Sequence, residues 1–250
     1  MNGGTEIAAN LRQVRSRIAE ACRRSGRDPA DVTLVAVSKL KPFADILEAQ
    51  AAGAEHFGEN YVQEMTEKIG EAEAAGDTGI RWHMIGHLQR NKVKYLIGRA
   101  ALIHSVDSVP LAEQIEKEAA KKGETVRILL EVNIAREESK WGFEPEAVPE
   151  AAEAIAALPH IRLLGLMTSA PYTEDPESNR EYFRGLNAMA QEMAARKLLA
   201  ESDPDFRVPA LSMGMTGDFE TAVEEGATLV RVGTAIFGKR DYHTEGEKLQ

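Results

Sequence analysis

The sequence predicts an α/β fold: a (β/α)8 barrel of the TIM type, one domain over residues 1–250 with an extra helix in front. Three observations carry this expectation. Eight short runs rich in aliphatic and β-branched residues alternate with runs rich in alanine and charge, and that alternation implies parallel strands joined by helices. The chain length, 250 residues, suits eight such units in one closed sheet. No proline- or glycine-rich linker divides the chain. An open, doubly wound sheet is the alternative, because counting strands does not establish closure. The glycine fingerprint of a dinucleotide-binding turn is missing after the first strand run, which weakens that alternative.

The elements follow in order. Ile7, Leu11, Val14, Ile18 and Ala21 recur at helical spacing and predict the leading helix, which "SGRDPAD" ends. The strand runs are Val32–Lys39, Glu55–Asn60, Arg81–His87, Ala101–Asp107, Thr125–Asn133, Arg162–Ser169, Ala210–Gly214 and Thr228–Gly238. Helices are expected near Pro42–Ala52, Tyr61–Ala75, Asn91–Gly98, Val109–Lys122, Glu146–Ala157, Glu177–Ala200 and Phe219–Glu225. The termini "MNGG" and "HTEGEKLQ" are expected to be loosely held.

Composition narrows the function classes. The apolar fraction is 43%, and 40 acidic against 30 basic side chains give a net charge of -10. That balance disfavours a duplex nucleic-acid surface and an anionic membrane. A single cysteine, Cys22, rules out an intrachain disulfide and a zinc site built on several thiolates. No apolar run is long enough to span a bilayer, and the first residues carry no signal-type apolar segment. A cytoplasmic setting is expected.

A barrel of this kind puts its chemistry at the carboxyl ends of its strands. The polar residues there are Lys39, Asn60, His87, Asn133, Ser212, Arg231, Gly233 and Thr234. In "LVAVSKLKP" strand alternation places Val35, Val37 and Lys39 on one face. Lys41 has the same parity but directly precedes Pro42, so Lys39 is the better candidate for the barrel mouth and Lys41 for a solvated charge. Lys39 is either a nucleophilic amine or one half of an ion pair with Glu59 or Glu131. In "LVRVGTAIFG", Arg231 interrupts an apolar strand and needs a fixed acceptor, since it cannot lose its charge. Gly233, Thr234 and the neighbouring Ser212 suit a phosphate at strands seven and eight. The structural alternative is an arginine paired with a core acid and a glycine chosen for packing. His83 and His87 stand four apart but read as strand, without a metalloprotease glutamate. Cys22 reads as a small apolar packer.

The motifs "AVSKLKP", "FGENYVQE", "WHMIGHLQRNK", "SKWGF", "GLMT", "LSMGMTGDF" and "VRVGTAIFG" stand in this order over nearly the whole chain. In this the sequence resembles the pyridoxal phosphate homeostasis proteins, the YggS/PROSC-like family, single-domain relatives of the alanine racemase barrel. The resemblance implies a fold-type III barrel for pyridoxal 5'-phosphate (PLP). It implies a Schiff base on Lys39, a phosphate site at Ser212, Gly233 and Thr234, and Arg231 at the pyridine nitrogen. Asn60 resembles a pocket residue, and His87 and Met167 are expected to line the pocket. Thr216 stands where the family has serine, and "MTSAPY" departs from a more proline-rich form.

An arginine at the ring nitrogen keeps it unprotonated and the ring a weak electron sink. The implied function is intracellular PLP homeostasis, by cofactor buffering or delivery to PLP-dependent apo-enzymes, from a monomer with no catalytic residue. A small amino-acid racemase is the alternative, although the C-terminal domain that supplies a second base in alanine racemases is not expected here. A Schiff-base aldolase without PLP is the third reading.

Overall fold

The computed structural model describes residues 3–77 and 79–239. Eight parallel strands close into a barrel in chain order: β1 (Thr33–Val37), β2 (His56–Glu59), β3 (Arg81–Met84), β4 (Leu102–Val106), β5 (Val126–Glu131), β6 (Ile161–Met167), β7 (Ala210–Ser212) and β8 (Leu229–Val232). The closing pair sets Thr33 beside Leu229, Val35 beside Arg231 and Ala36 beside Val232. Around it run α1 (Gly3–Ser25), α2 (Phe43–Ala51), α3 (Val62–Ala74), α4 (Val109–Lys122), α5 (Val148–Ala156), α6 (Arg180–Ala195), α7 (Phe219–Glu224) and α8 (Thr234–Phe237). The expected closed barrel is observed, with all eight strands where the apolar runs place them.

The pleat sorts the strand residues into two cores. Ala36, Phe57, Ile103, Leu130, Leu166 and Val230 face outward and are buried under the helices. Val35, Leu102, Leu129, Leu164, Met167, Ala210 and Leu229 fill the interior, joined by Phe206 from the segment after α6. Leu11, Val14, Ile18 and Ala21, the apolar stripe of α1, are buried. That helix packs on α2, α7 and α8 and so covers the seam between the first and last strands. Asn10 Nδ2 donates to Ile236 O at 3.0 Å, and Arg17 pairs with Glu220 at 2.8 Å.

Three elements differ from expectation. The Asn91–Gly98 helix is a 3₁₀ run, Arg90–Tyr95. Its bonds span three residues, with Lys92 N donating to Gln89 O and Leu96 N to Val93 O, each at 2.9 Å. The long Glu177–Ala200 helix is a 3₁₀ turn, Pro176–Asn179, followed by α6, which stops before Lys197 enters the left-handed region at φ 58°. The last strand run is cut at Val232, and "TAIF" forms α8. Residues 240–250 lie outside the described residues; Gly3 and Gly4 fall within α1.

Two glycines test the packing. A Cβ on Gly165 of β6 would sit 1.9 Å from Ala210 O and 2.7 Å from Ala210 N. Gly165→Ala should therefore destabilise the chain by about 3 kcal/mol or more, as severe overpacking does. Gly70, inside α3, has nothing within 4 Å of that position. Gly70→Ala should stabilise by about 0.5–1 kcal/mol through helix propensity. Urea unfolding reads both, and a neutral Gly165→Ala would refute the close approach of β6 and β7.

Candidate functional site

The strand ends open into a cleft of about 660 Å³ whose walls include Val37, Lys39, Asn60, Arg231, Gly233 and Thr234. Lys39 comes into it by the expected parity: Val35 is interior, and Val37 and Lys39 follow on the cleft side. The backbone bends just after it, with Leu40 at φ 57°. That conformation is unfavourable for leucine and needs support from its surroundings.

The support is a buried ionic cluster from β2 and α3. Lys68 Nζ donates to Ser38 O at 2.8 Å, to Glu59 Oε1 at 2.8 Å and to Glu64 Oε1 at 2.7 Å. Ser38 Oγ donates to Glu59 Oε1 at 2.7 Å, and Leu40 N donates to Glu64 Oε1 at 2.6 Å. The residues on both sides of Lys39 are thus tied to one cluster. Glu59 is fully buried and Lys68 nearly so. Burial pushes the Glu59 carboxyl up, and the Lys68 ammonium opposes that shift. Removing one partner of such a group would leave a buried charge uncompensated. The sequence reading passed over Lys68 and Glu64, although their i,i+4 spacing on α3 was visible. Lys41 also proves to be more than a solvated charge: its Nζ donates to Phe237 O at 2.7 Å and Lys239 O at 3.1 Å, holding the carboxyl end of α8.

Arg231 forms the floor, 4% exposed. Its Nη1 donates to Ser212 Oγ at 2.7 Å and its Nη2 to Thr168 O at 2.8 Å. Burial lowers its pKa to about 10, against the opposing charges of Glu131 and Asp218. The acceptors found are therefore a hydroxyl and a carbonyl, with carboxylates acting only at longer range.

Ser212 stands differently from expectation. Its hydroxyl is fully buried between Arg231 and His104 and is not part of the cleft wall. The hydroxyl that the same segment turns into the cleft belongs to Thr216, 3.2 Å from the Thr234 hydroxyl. Strand alternation explains the exchange, because Ser212 points inward at the last residue of β7 and the chain leaves the sheet only afterwards. Gly214, at φ 85°, permits that departure; a Cβ there would meet Ala222 Cβ at 2.5 Å. Asp218 fixes the loop, accepting from Met215 N at 2.6 Å and Asn179 Nδ2 at 2.8 Å.

Asn60 lines the cleft where β2 ends, with its backbone pressed against Gly86, whose Cβ would lie 2.3 Å from Asn60 O. His87 stands outside the cleft wall, 2.9 Å from Asp107 and stacked on Trp141 at 3.8 Å. Met167 is in the barrel interior. Asn133 organises its own loop, accepting from Glu137 N at 3.1 Å and donating to Glu137 O at 3.0 Å.

Glu131, at the end of β5, gives the region a titration. Burial raises its carboxyl from 4.5 to about 7, and Arg231 opposes the rise. Between those values the folded chain holds a proton that the unfolded chain has released, so this group's contribution to stability falls as pH climbs through the window. Glu131→Gln should flatten that limb of the stability–pH curve, and carboxyl ¹³C titration should place the Glu131 midpoint near 7. A midpoint at 4.5, the ordinary value, would refute it.

The alanine racemase N-terminal domain family model matches residues 6–241. The pyridoxal phosphate homeostasis protein of Aquifex aeolicus is 45% identical over 93% of this chain and 97% of its own. That of Escherichia coli K12 is 40% identical over 95% and 98%. Among solved structures, PipY of Synechococcus elongatus with PLP bound superposes with a TM-score of 0.78 at 34% identity, over 93% of this chain and all of that one. Alanine racemase of Clostridium difficile shares the fold at 16% identity and a TM-score of 0.67, and the chain spans 58% of its length. On this evidence the chain belongs to the alanine racemase N-terminal domain family and, within it, to the pyridoxal phosphate homeostasis proteins.

Proposed function

We propose that this chain binds PLP in the strand-end cleft and serves intracellular PLP homeostasis as a buffer or carrier. The observation that carries the reading is the meeting of Lys39, Arg231, Gly233 and the Thr216–Thr234 hydroxyl pair in one cleft. These groups suit the cofactor's three demands. Its aldehyde takes a lysine amine, its phosphate takes a set of donors, and its ring nitrogen takes one further contact. When bound, PLP supplies an aldehyde that an amine can hold as a Schiff base, with loss of water.

In this reading Lys39 provides the amine, held at the wall by the Lys68 cluster. Thr216, Gly233 and Thr234 provide the phosphate donors. Arg231 can only donate, so it faces the ring nitrogen in its unprotonated state. Ser212 acts through Arg231 rather than on the phosphate. Asn60 borders the ring. Lys41 is committed to the α8 carbonyls, which favours Lys39 as the reacting amine. The PLP bound to PipY, a relative at 34% identity, supports the same cofactor here.

The carrier reading is preferred to a racemase because proton exchange on both ring faces needs a second base held opposite the lysine. The phenol in the described cleft wall is Tyr172, which is 92% exposed. A group so open to water is poorly placed to be desolvated and aimed.

Loading the purified chain with PLP should give a visible absorption band, absent in Lys39→Ala. Borohydride should fix the label on Lys39. Label on Lys41, or no band after loading, would overturn the site. Incubation of the loaded chain with D- and L-amino acids should show no racemisation at enzymatic rates, and turnover of about 1 s⁻¹ or more would establish the racemase instead.

A further inference from the structure

The barrel interior of a (β/α)8 fold is ordinarily filled by apolar layers. Here a line of hydrogen bonds crosses it. From Arg231 Nη1 the line passes to Ser212 Oγ at 2.7 Å, from Ser212 Oγ to His104 Nδ1 at 2.8 Å, from His104 Nε2 to His83 Nδ1 at 2.8 Å, and from His83 Nε2 to His56 Nδ1 at 2.8 Å. His83 and His104 are fully buried, and His56, where β2 begins, is half-buried. The rings pack at centroid separations of 5.0 and 5.1 Å, and Phe206 stands edge-on to His56 and His83.

Elementary donor counting gives this line a direction. A guanidinium has no acceptor, so Ser212 accepts from Arg231. The serine hydrogen then goes to His104 Nδ1, the other contact described for that hydroxyl. His104 Nδ1 is therefore bare and its Nε2 carries the proton, which is donated to His83 Nδ1. The same step repeats at His56. Each neutral ring donates through one nitrogen and accepts through the other. Running the line backwards would give Ser212 two incoming donors and leave its own hydrogen without a partner in a water-excluded core, which is costly. Burial keeps the rings neutral, and the cations Arg81 at one end and Arg231 at the other act in the same sense.

We propose that His104, His83 and His56 are positioning residues for Arg231, all three held as the Nε2–H tautomer by a hydrogen-bond line that runs from the cleft floor to the opposite mouth of the barrel. The line fixes the Ser212 hydroxyl as an acceptor and so fixes the plane of the guanidinium. The guanidinium's remaining donors are thereby aimed at the cleft. This role rests on the PLP reading above, since the ring nitrogen is what those donors would meet; the direction of the line does not.

Two measurements test it. Ring ¹⁵N spectra of the unloaded chain at neutral pH should show bare Nδ1 and protonated Nε2 for all three histidines, with His83 and His104 not titrating near neutrality. The groups facing them are His56, Arg81 and Arg231, and His56 also faces Glu55 and Asp205. An Nδ1–H tautomer at His83 or His104 overturns the line. The second measurement compares PLP dissociation constants and the absorption maximum of the loaded chain. His104→Phe should weaken binding about tenfold and shift the band, and His104→Gln, which keeps one acceptor and one donor, should recover both. A purely structural histidine would leave the band of the folded variants unmoved. A wild-type chain that takes up no PLP overturns the site and the positioning role together. A wild-type chain that binds PLP, with His104→Phe matching its affinity and spectrum, overturns the positioning role alone. Should His104→Phe fail to fold, the tautomer spectrum of the wild-type chain still decides the direction.

Discussion

The pairing of β1 with β8 is the constraint on which the site depends. Lys39 and Arg231 are 192 positions apart in the chain, and no local structure could bring them together. The register sets Val35 beside Arg231, and two pleats further on Lys39 leaves β1 on the same face. Gly233 and Thr234 follow Arg231 with only Val232 between. Closure therefore brings the Lys39 amine, the Arg231 guanidinium and the Thr234 hydroxyl to one cleft, where Thr216 joins them from the segment after β7. The leading helix reinforces that seam from outside, packing on α2, α7 and α8.

Closure alone would leave Lys39 on a loop. What makes the position definite is the buried cluster beneath it. Lys68 and Glu64 are neighbours on α3, Glu59 ends β2, and together they hold the backbone at Ser38 and Leu40. An ionic cluster in so dry a place is a costly way to gain stability. It is an effective way to gain geometry, because each bond has a fixed direction and the backbone at Leu40 must be kept in a left-handed bend. In the proposal made above, the polar line of His56, His83, His104 and Ser212 does for Arg231 what the cluster does for the lysine loop. The backbone beside Lys39 and the guanidinium of Arg231 thus each have buried polar partners.

The sequence carried the fold with little loss, because its period is written in local contrast: apolar runs of strand length between amphipathic helices. It also carried Lys39, through parity and Pro42, and the cleft-facing pair Gly233 and Thr234. The phosphate role expected of Ser212 came from the family resemblance; the fold seats that hydroxyl beneath the cleft, against Arg231 and His104, and turns the Thr216 hydroxyl to the cleft. The sequence undervalued Lys68, which looks like any helix lysine until the helix is docked. His56, His83 and His104 form no motif in the sequence, where His83 is weighed only beside His87, because they lie on three separate strands, 27 and 21 residues apart.

By itself, then, the amino-acid order determined eight parallel strands alternating with helices, their ends and the residue types gathered there, since alternation and composition act over a few residues at a time. Tertiary structure decided which of those side chains share a wall, which hydroxyl faces the cleft and which lies beneath it, and which histidines touch. Those outcomes depend on sheet register and closure, and register is a property of two strands that no single segment contains.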